Sequence, residues 1–388
     1  MRALTAAELA EAFAASLDRI APAGPLGVAL SGGSDSTALA VLAAGRARHA
    51  ATVDHHLRPE SGVEAAAAGR LASHLGYDHR ILAWDGAAAK AGPGNLSAEA
   101  RSARHRLLGD WARAQGLAAV LLGHTMDDQA ETVVMRLARG SGVDGLAGMA
   151  ERVEIAGTLW LRPLLGLRRA DLRDFLTARG IAWAEDPTND DRSYDRVRVR
   201  RAIGDLGLSV PGLAETATRL ARQRRVLEAD RDRLARAAAR VGAFGEVIFD
   251  RAALEAAELD TSLALLADAL CWVGGQPYRP RFDALLRVWE AQTDTTLAGC
   301  LILRRGGEIT VTREPARAGG LRAGLWDGRW EVSQIAGVAP LGGDRPCLAA
   351  TPALWHGETL LAAPLAGLNP PEHGFQARLA PPPARFRR

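Results

Sequence analysis

One stretch constrains the fold of this chain more than any other. Leu26-Gly27-Val28-Ala29-Leu30 is an apolar run suited to a buried strand, Ser31-Gly32-Gly33-Ser34-Asp35-Ser36 is a loop of glycine, hydroxyl and acid, and Thr37 to Leu42 resumes as a helix. Glycines let a backbone approach an anion closely, and loop amides together with the first helical turn point free N–H groups at it. Ser31, Ser34 and Ser36 add hydroxyl donors. The loop is not the lysine-containing nucleotide loop G-x-x-x-x-G-K-S/T, because Lys90, the chain's single lysine, lies far away in sequence.

With 388 residues the chain can bury a substantial core and is expected to hold two or three domains. A hydrophobic content of 48% and a charged content of 24% describe a soluble globular protein. The net charge of +3 is mild, but the positive charge is almost all Arg, the side chain suited to bidentate phosphate contacts. Cys271, Cys300 and Cys347 are far apart, which indicates neither a zinc site nor a disulfide framework and points to a reducing, cytoplasmic setting. Thr5-Ala6-Ala7-Glu8 reads as a capping box opening an amphipathic helix. Its acids argue against a signal or transit peptide, and no run suits a membrane span.

Strands and helices alternate after the loop: a strand near 50–53, a helix near 62–75, a strand at 78–83, a helix over 96–115 and a strand at 117–122. That spacing implies an α/β fold with a doubly wound, mostly parallel sheet. Ligands of such sheets bind beyond the carboxyl ends of the strands, so Asp54 and His55 are expected beside the phosphate loop. The strand at 117–122 delivers Gly123-His124-Thr125-Met126-Asp127-Asp128-Gln129-Ala130-Glu131. With Thr125 as N-cap and Asp128 at the third helical position, Asp127, Asp128 and Glu131 form a carboxylate cluster at the mouth of the sheet. First-turn acids are often only caps, and a lone histidine such as His124 is as often packed as catalytic. Further on, Arg196, Arg198, Arg200 and Arg201 present cationic charge where phosphate could dock, whether the segment is extended or helical.

The phosphate loop resembles the pyrophosphate (PP) loop of the ATP pyrophosphatases, which cleave ATP between the α- and β-phosphates. Taken with Val53-Asp54-His55-His56-Leu57-Arg58, Gly123-His124-Thr125 through Glu131-Thr132, Arg139-Gly140-Ser141-Gly142, Arg162-Pro163-Leu164-Leu165 and Glu185-Asp186-Pro187-Thr188-Asn189, the first 200 residues or so resemble the tRNA(Ile)-lysidine synthetase family. Two positions depart from the family's pattern: His105 stands where Tyr is frequent and Val197 where Asn is common. The resemblance implies a PP-loop enzyme of the adenine nucleotide alpha-hydrolase-like fold. It implies ATP bound by Ser31, Gly32, Gly33, Ser34, Asp35, Ser36, Asp54 and His55, with Mg²⁺ on Asp35. Asp35, Asp127, Asp128, Glu131 and His124 are its catalytic set, and Arg196, Arg198, Arg200 and Arg201 its tRNA contacts. The implied partners are free L-lysine and a tRNA(Ile) with a CAU anticodon, whose wobble cytidine becomes lysidine with release of AMP and diphosphate.

The expected organisation is a catalytic domain over 1–200, an Arg-rich helical linker over 201–240, a small α+β tRNA-binding domain over 241–315, and a β-rich region over 316–388 with a Pro-rich tail expected to be mobile. The tryptophans of that last region could be core or stack on RNA. These motifs specify neither a monomer nor a homodimer. Three other readings stand beside this one. A tRNA thiolase needs reactive cysteines, an amidotransferase-coupled synthetase needs a glutaminase-like cysteine region, and a non-catalytic RNA-binding protein would not need Asp35 and the acid cluster.

Overall fold

The computed structural model describes residues 4–57, 61–85, 96–185, 195–276, 278–322 and 324–387. The chain divides into two compact units, Met1–Arg224 and Arg225–Arg388.

In the first unit, a helix at Ala6–Ile20 opens with the Thr5/Glu8 capping box expected from sequence and buries Leu9, Phe13, Leu17 and Ile20. A six-stranded sheet follows, made of β1 (Leu26–Ala29), β2 (His49–Asp54), β3 (Asp78–Ala83), β4 (Ala119–Leu121), β5 (Arg152–Ile155) and β6 (Thr158–Leu161), in the order β3-β2-β1-β4-β6-β5. The first five strands of that order are parallel, and β5 runs antiparallel at the edge. The order reverses between β1 and β4, so the crevice for a ligand opens where their carboxyl ends diverge.

The β5–β6 hairpin is not predicted from the sequence. Its turn carries Ala156 (φ 51°) and Gly157 (φ 73°), a pair of left-handed residues of the kind that closes a two-residue hairpin. Alanine there hides the usual signal, which is Asn or Gly at the first position.

Packing explains the strand–helix arrangement. Val28 and Leu30 are fully buried, and an added Cβ at Gly27 would lie 2.5 Å from both Leu117 and Trp111, so only glycine lets the Leu96–Ala114 helix close onto β1. The helix after the phosphate loop, Ser34–Ala43, buries Ser34, Ser36, Thr37, Ala38, Leu39, Ala40 and Ala43. Small side chains allow it to sit inside the unit, beside the Arg169–Thr177 helix.

The second unit begins within the long Val210–Ala238 helix. Its main sheet, β7 (Ala239–Val241), β8 (Val247–Asp250), β9 (Thr295–Leu297), β10 (Cys300–Arg305) and β11 (Glu308–Arg313), is antiparallel and carries the Leu259–Gly274 helix. Smaller antiparallel sheets follow, in which Trp326 and Trp330 are buried as core rather than displayed. The Pro-rich tail, expected to be mobile, is docked. Phe386 is buried, stacks on Trp272 and meets Phe249 edge-on, while Arg385 pairs with Asp232 and Asp268. One aromatic anchor and one ion-paired arginine hold a segment whose composition suggests nothing of the kind.

Candidate active site

The phosphate loop leaves β1 at Leu30 and turns at Gly32, whose φ of +89° is accessible to glycine at little cost. Gly33 caps the Ser34–Ala43 helix without a side-chain bond, which leaves the first-turn amides available to an anion. The Ser36 hydroxyl donates to the Gly33 carbonyl at 3.0 Å and accepts from the Ser31 amide at 3.1 Å, and the two serine hydroxyls lie 2.9 Å apart. These bonds close the loop into a fixed cup.

β4 delivers the second wall. At Gly123 an added Cβ would stand 3.0 Å from the Ser36 amide nitrogen and 3.1 Å from the Asp35 carbonyl carbon, so the two strand ends touch backbone to backbone. Thr125 then caps the Met126–Leu137 helix in a reciprocal box. Its hydroxyl accepts from the Asp128 amide at 3.4 Å, and Asp128 Oδ2 accepts from the Thr125 amide and hydroxyl, each at 2.8 Å.

Of the three carboxylates expected to cluster, Asp128 and Glu131 do so, Asp127 does not, and Asp35 joins them on a residue overlooked in the sequence. Arg169 donates from Nε to Asp35 Oδ2 at 2.8 Å, from Nη2 to Asp128 Oδ1 at 3.1 Å and from Nη1 to Glu131 Oε1 at 3.4 Å. Asp127 belongs to a neighbouring arrangement. It accepts from the Arg169 amide at 2.8 Å and faces Arg168 at 3.3 Å, capping the Arg169–Thr177 helix from outside. A signal for these arginines does exist in the sequence: cations at a helix N-terminus oppose the macrodipole, so Arg168-Arg169 at that position implies carboxylates from elsewhere. Arg173, on the same helix, reaches Ser34 Oγ at 3.4 Å and Glu185 at 3.1 Å.

Burial pushes the Asp35 carboxyl above its ordinary range, although Arg169 and Ser34 pull the other way. Asp128 is more deeply buried, but Arg169 and the Thr125 cap outweigh burial and hold it low. Glu131 is 2% exposed, and its Oε2 has no hydrogen-bond partner among the described residues. His124 is lowered to about 3 by burial and by the nearby Arg162, Arg104 and Arg196, against the pull of Asp128. It is a neutral imidazole whose Nδ1 accepts from Arg162 Nε at 3.3 Å. A raised Asp35 carboxyl marks a place where further positive charge would be favourable. Mg²⁺ suits it, because that ion takes one or two carboxylates and completes its shell with phosphate and water. Among the described residues no group of three or more His, Cys, Asp or Glu forms a self-sufficient metal cage.

At the end of β2, Asp54 Oδ1 accepts from the His56 amide at 3.0 Å, and burial notwithstanding, that bond and the one from Ser61 lower its carboxyl. His55 packs edge-on to Trp84, and its pKa is lowered by burial and by Arg104. Burial and the neighbouring Arg101 and Arg196 bring Arg104 down to about 10, while burial with Arg101 and Arg136 does the same to Arg162. Cations that depress one another in this way make a wall receptive to anions.

The arginine run is helical, Asp195–Asp205, which spreads its members. Arg200 turns inward to Glu131 Oε1 at 2.9 Å, Arg198 pairs with Asp195, and Arg201 is exposed. Arg58 and the run Asp186 to Asn189, both quoted for the family resemblance, lie outside the described residues.

Residues 5–206 match the family model described as a PP-loop domain, and the reversal of strand order, the serine-rich cup and the facing carboxylates are the architecture of that class of ATP-using enzyme. A tRNA(Ile)-lysidine synthase from Ruegeria pomeroyi is 41% identical over 387 residues, covering 91% of this chain and 91% of the relative. One from Methylobacterium nodulans is 41% identical over 335 residues, 80% of this chain and 97% of its own. The chain belongs to the tRNA(Ile)-lysidine synthase family and is an ATP-dependent ligase. Among solved structures, a U34-tRNA thiolase from Methanococcus maripaludis aligns with 56% of this chain and 77% of its own at a TM-score of 0.48 and 17% identity, too distant to bear on the chemistry.

Proposed function

We propose that this enzyme joins the ε-amine of free L-lysine to C2 of the wobble cytidine in a tRNA(Ile) with a CAU anticodon, using ATP, in the cytoplasm. The cytosine C2 oxygen attacks the α-phosphorus and diphosphate leaves. The lysine amine then attacks C2, and the C2–O bond breaks to release AMP. The observation that carries the reading is the meeting of Asp35, Asp128 and Glu131 on one guanidinium at the rim of the phosphate cup, in a chain of this family.

The loop amides and the hydroxyls of Ser31 and Ser34 hold the diphosphate and stabilise the charge that develops as it leaves, while Ser36, whose proton goes to the Gly33 carbonyl, shapes the cup around it. Asp54 and His55 border the nucleotide from the end of β2. Asp35 would hold Mg²⁺, which when bound would supply charge neutralisation for the triphosphate. Lysine carries a side-chain pKa of about 10.4, so its ammonium must be bound as a cation and deprotonated before attack. Asp128 and Glu131, with Asp127 beside them, supply the countercharge. Either one of these carboxylates or His124 accepts the proton. His124 is a neutral and weakly basic imidazole, so the proton within its reach is the second one, which the amine sheds as it bonds to C2. Arg196, Arg198 and Arg201 serve the tRNA backbone, and Arg200 divides its charge between that task and Glu131.

All three cysteines belong to the second unit, and burial raises each thiol, Cys300 to about 12, which weighs against sulfur transfer through them. The test is incorporation of labelled lysine, with ATP and Mg²⁺, into unmodified tRNA(Ile) bearing CAU and into the same tRNA bearing UAU. Incorporation into the CAU form alone is expected. ATP cleavage to AMP and diphosphate without lysine incorporation would retain the adenylating enzyme and reject its nucleophile.

A further inference from the structure

Arg169 holds an unusual position between two subsites. Its Nε is bound to Asp35, on the first turn after the phosphate cup, while Nη2 and Nη1 are bound to Asp128 and Glu131, on the helix facing that cup. Three nitrogens of one planar fork thus serve three carboxylates on two separate helices. Its backbone is fixed independently, since the Arg169 amide donates to Asp127 at 2.8 Å and begins the Arg169–Thr177 helix. The side chain can therefore swing without unravelling the helix that carries it. Nor is the cluster electrically saturated. Among the described residues, Asp35, Asp128 and Glu131 pair with the guanidiniums of Arg169 and Arg200, and Glu131 Oε2 is buried without a hydrogen-bond partner.

We propose that Arg169 is a positioning residue that couples the nucleotide subsite to the lysine subsite: in the empty enzyme its guanidinium substitutes for the incoming ammonium, and nucleotide binding at the Asp35 end draws it away. The inference rests on the proposed function, because it takes lysine to be the cation that Asp128 and Glu131 receive. A cation entering at Asp128 and Glu131 must displace a guanidinium already bound there, so lysine binds weakly to the free enzyme. A triphosphate in the cup would offer that guanidinium a competing anion beside Asp35, and Mg²⁺ held by Asp35 would compete for its Nε partner. Both effects would withdraw Arg169 from Asp128 and Glu131 only once ATP is in place, leaving Arg200 on Glu131 Oε1. This ordering keeps lysine from occupying the site before the nucleotide that must act first.

The decisive measurement is equilibrium dialysis of radiolabelled lysine against the full-length enzyme, with and without Mg²⁺ and an ATP analogue carrying a methylene bridge between the α- and β-phosphates. For the wild type, the nucleotide should tighten lysine binding by about tenfold, within the usual range of coupling between sites. In Arg169→Gln, lysine should bind the free enzyme more tightly than in the wild type, and the nucleotide effect should fall to near one. A merely structural arginine would predict the opposite, weaker lysine binding in the variant under both conditions. Should Arg169→Gln fail to fold, Arg169→Lys retains the charge but cannot bridge the two helices, and it too should lose the coupling. A wild type without coupling, or either folded variant that keeps it, overturns the inference. If the wild type still incorporates lysine into tRNA in those cases, the proposed function stands. If it incorporates none, the proposed function and this inference fall together.

Discussion

Gly123 is where the two halves of the site are pressed together, and enlarging it gives a direct test of how the cup depends on β4. Its backbone is not in the left-handed region, so alanine is conformationally acceptable there and any effect is steric. The new methyl would stand 3.0 Å from both the Ser36 nitrogen and its Cα, and 3.1 Å from the Asp35 carbonyl carbon. These are backbone atoms of the helix's first turn and cannot rotate aside. Ordinary contact needs a few tenths of an ångström more, so the turn carrying Ser36 and Asp35 must retreat. Overpacking of this kind costs on the order of 1–3 kcal/mol, and displacing a positioning group by a full ångström can cost roughly 100-fold in rate. For Gly123→Ala the expected loss in kcat/KM for ATP is about 3- to 10-fold, and for Gly123→Val about 100-fold. The assay is tRNA-dependent ATP–pyrophosphate exchange, with circular dichroism to confirm that each variant is folded. KM for lysine should change far less than KM for ATP. A folded Gly123→Val enzyme with wild-type exchange kinetics would refute the claim that this contact sets the cup.

Other outcomes follow from the same geometry. Asp35→Ala should abolish exchange, whereas Glu131→Ala should leave exchange largely intact and raise KM for lysine at least tenfold. Unchanged lysine kinetics in the second variant would remove Glu131 from the lysine subsite. His124 has a folded pKa of about 3 against 6.5 unfolded, so between those values the unfolded chain binds a proton that the folded one refuses. Its contribution to stability is complete above pH 6.5 and is lost as pH falls toward 3, by up to about 1.4 kcal/mol per pH unit. Urea titrations at several pH values should show a shallower acid decline in His124→Gln than in the wild type. Phe386→Ala removes a buried ring from between Trp272 and Phe249 and should destabilise the second unit by about 3 kcal/mol, read as a lower melting temperature.

Much of this protein was readable from residue order because its signals are local. The strand–loop–helix at 26–42 is specified by an apolar run, two glycines and three serines whose roles depend only on their neighbours. The Thr125/Asp128 box is likewise a three-residue relationship, and the alternation of strands and helices implies a parallel sheet without knowledge of any contact. What had no local signature was decided by tertiary structure. Arg169, at a helix N-terminus, signals locally that it needs carboxylates, but it is 134 residues from Asp35 and 41 from Asp128, and nothing nearby in sequence says which carboxylates it will join. Arg200 looked like one of several cations on a surface run until the helix turned it toward Glu131, 69 residues away. Asp127 and Asp128, adjacent in the chain, part company because successive helical positions face different neighbours, one capping a foreign helix and the other joining the cluster. The tail at Phe386 is held by an aromatic pocket assembled from Trp272 and Phe249, which composition cannot reveal. Composition and spacing determined which chemical groups were available; charge pairing across distant segments decided which of them meet, because burial makes an unpaired charge so costly that the fold must bring it a partner.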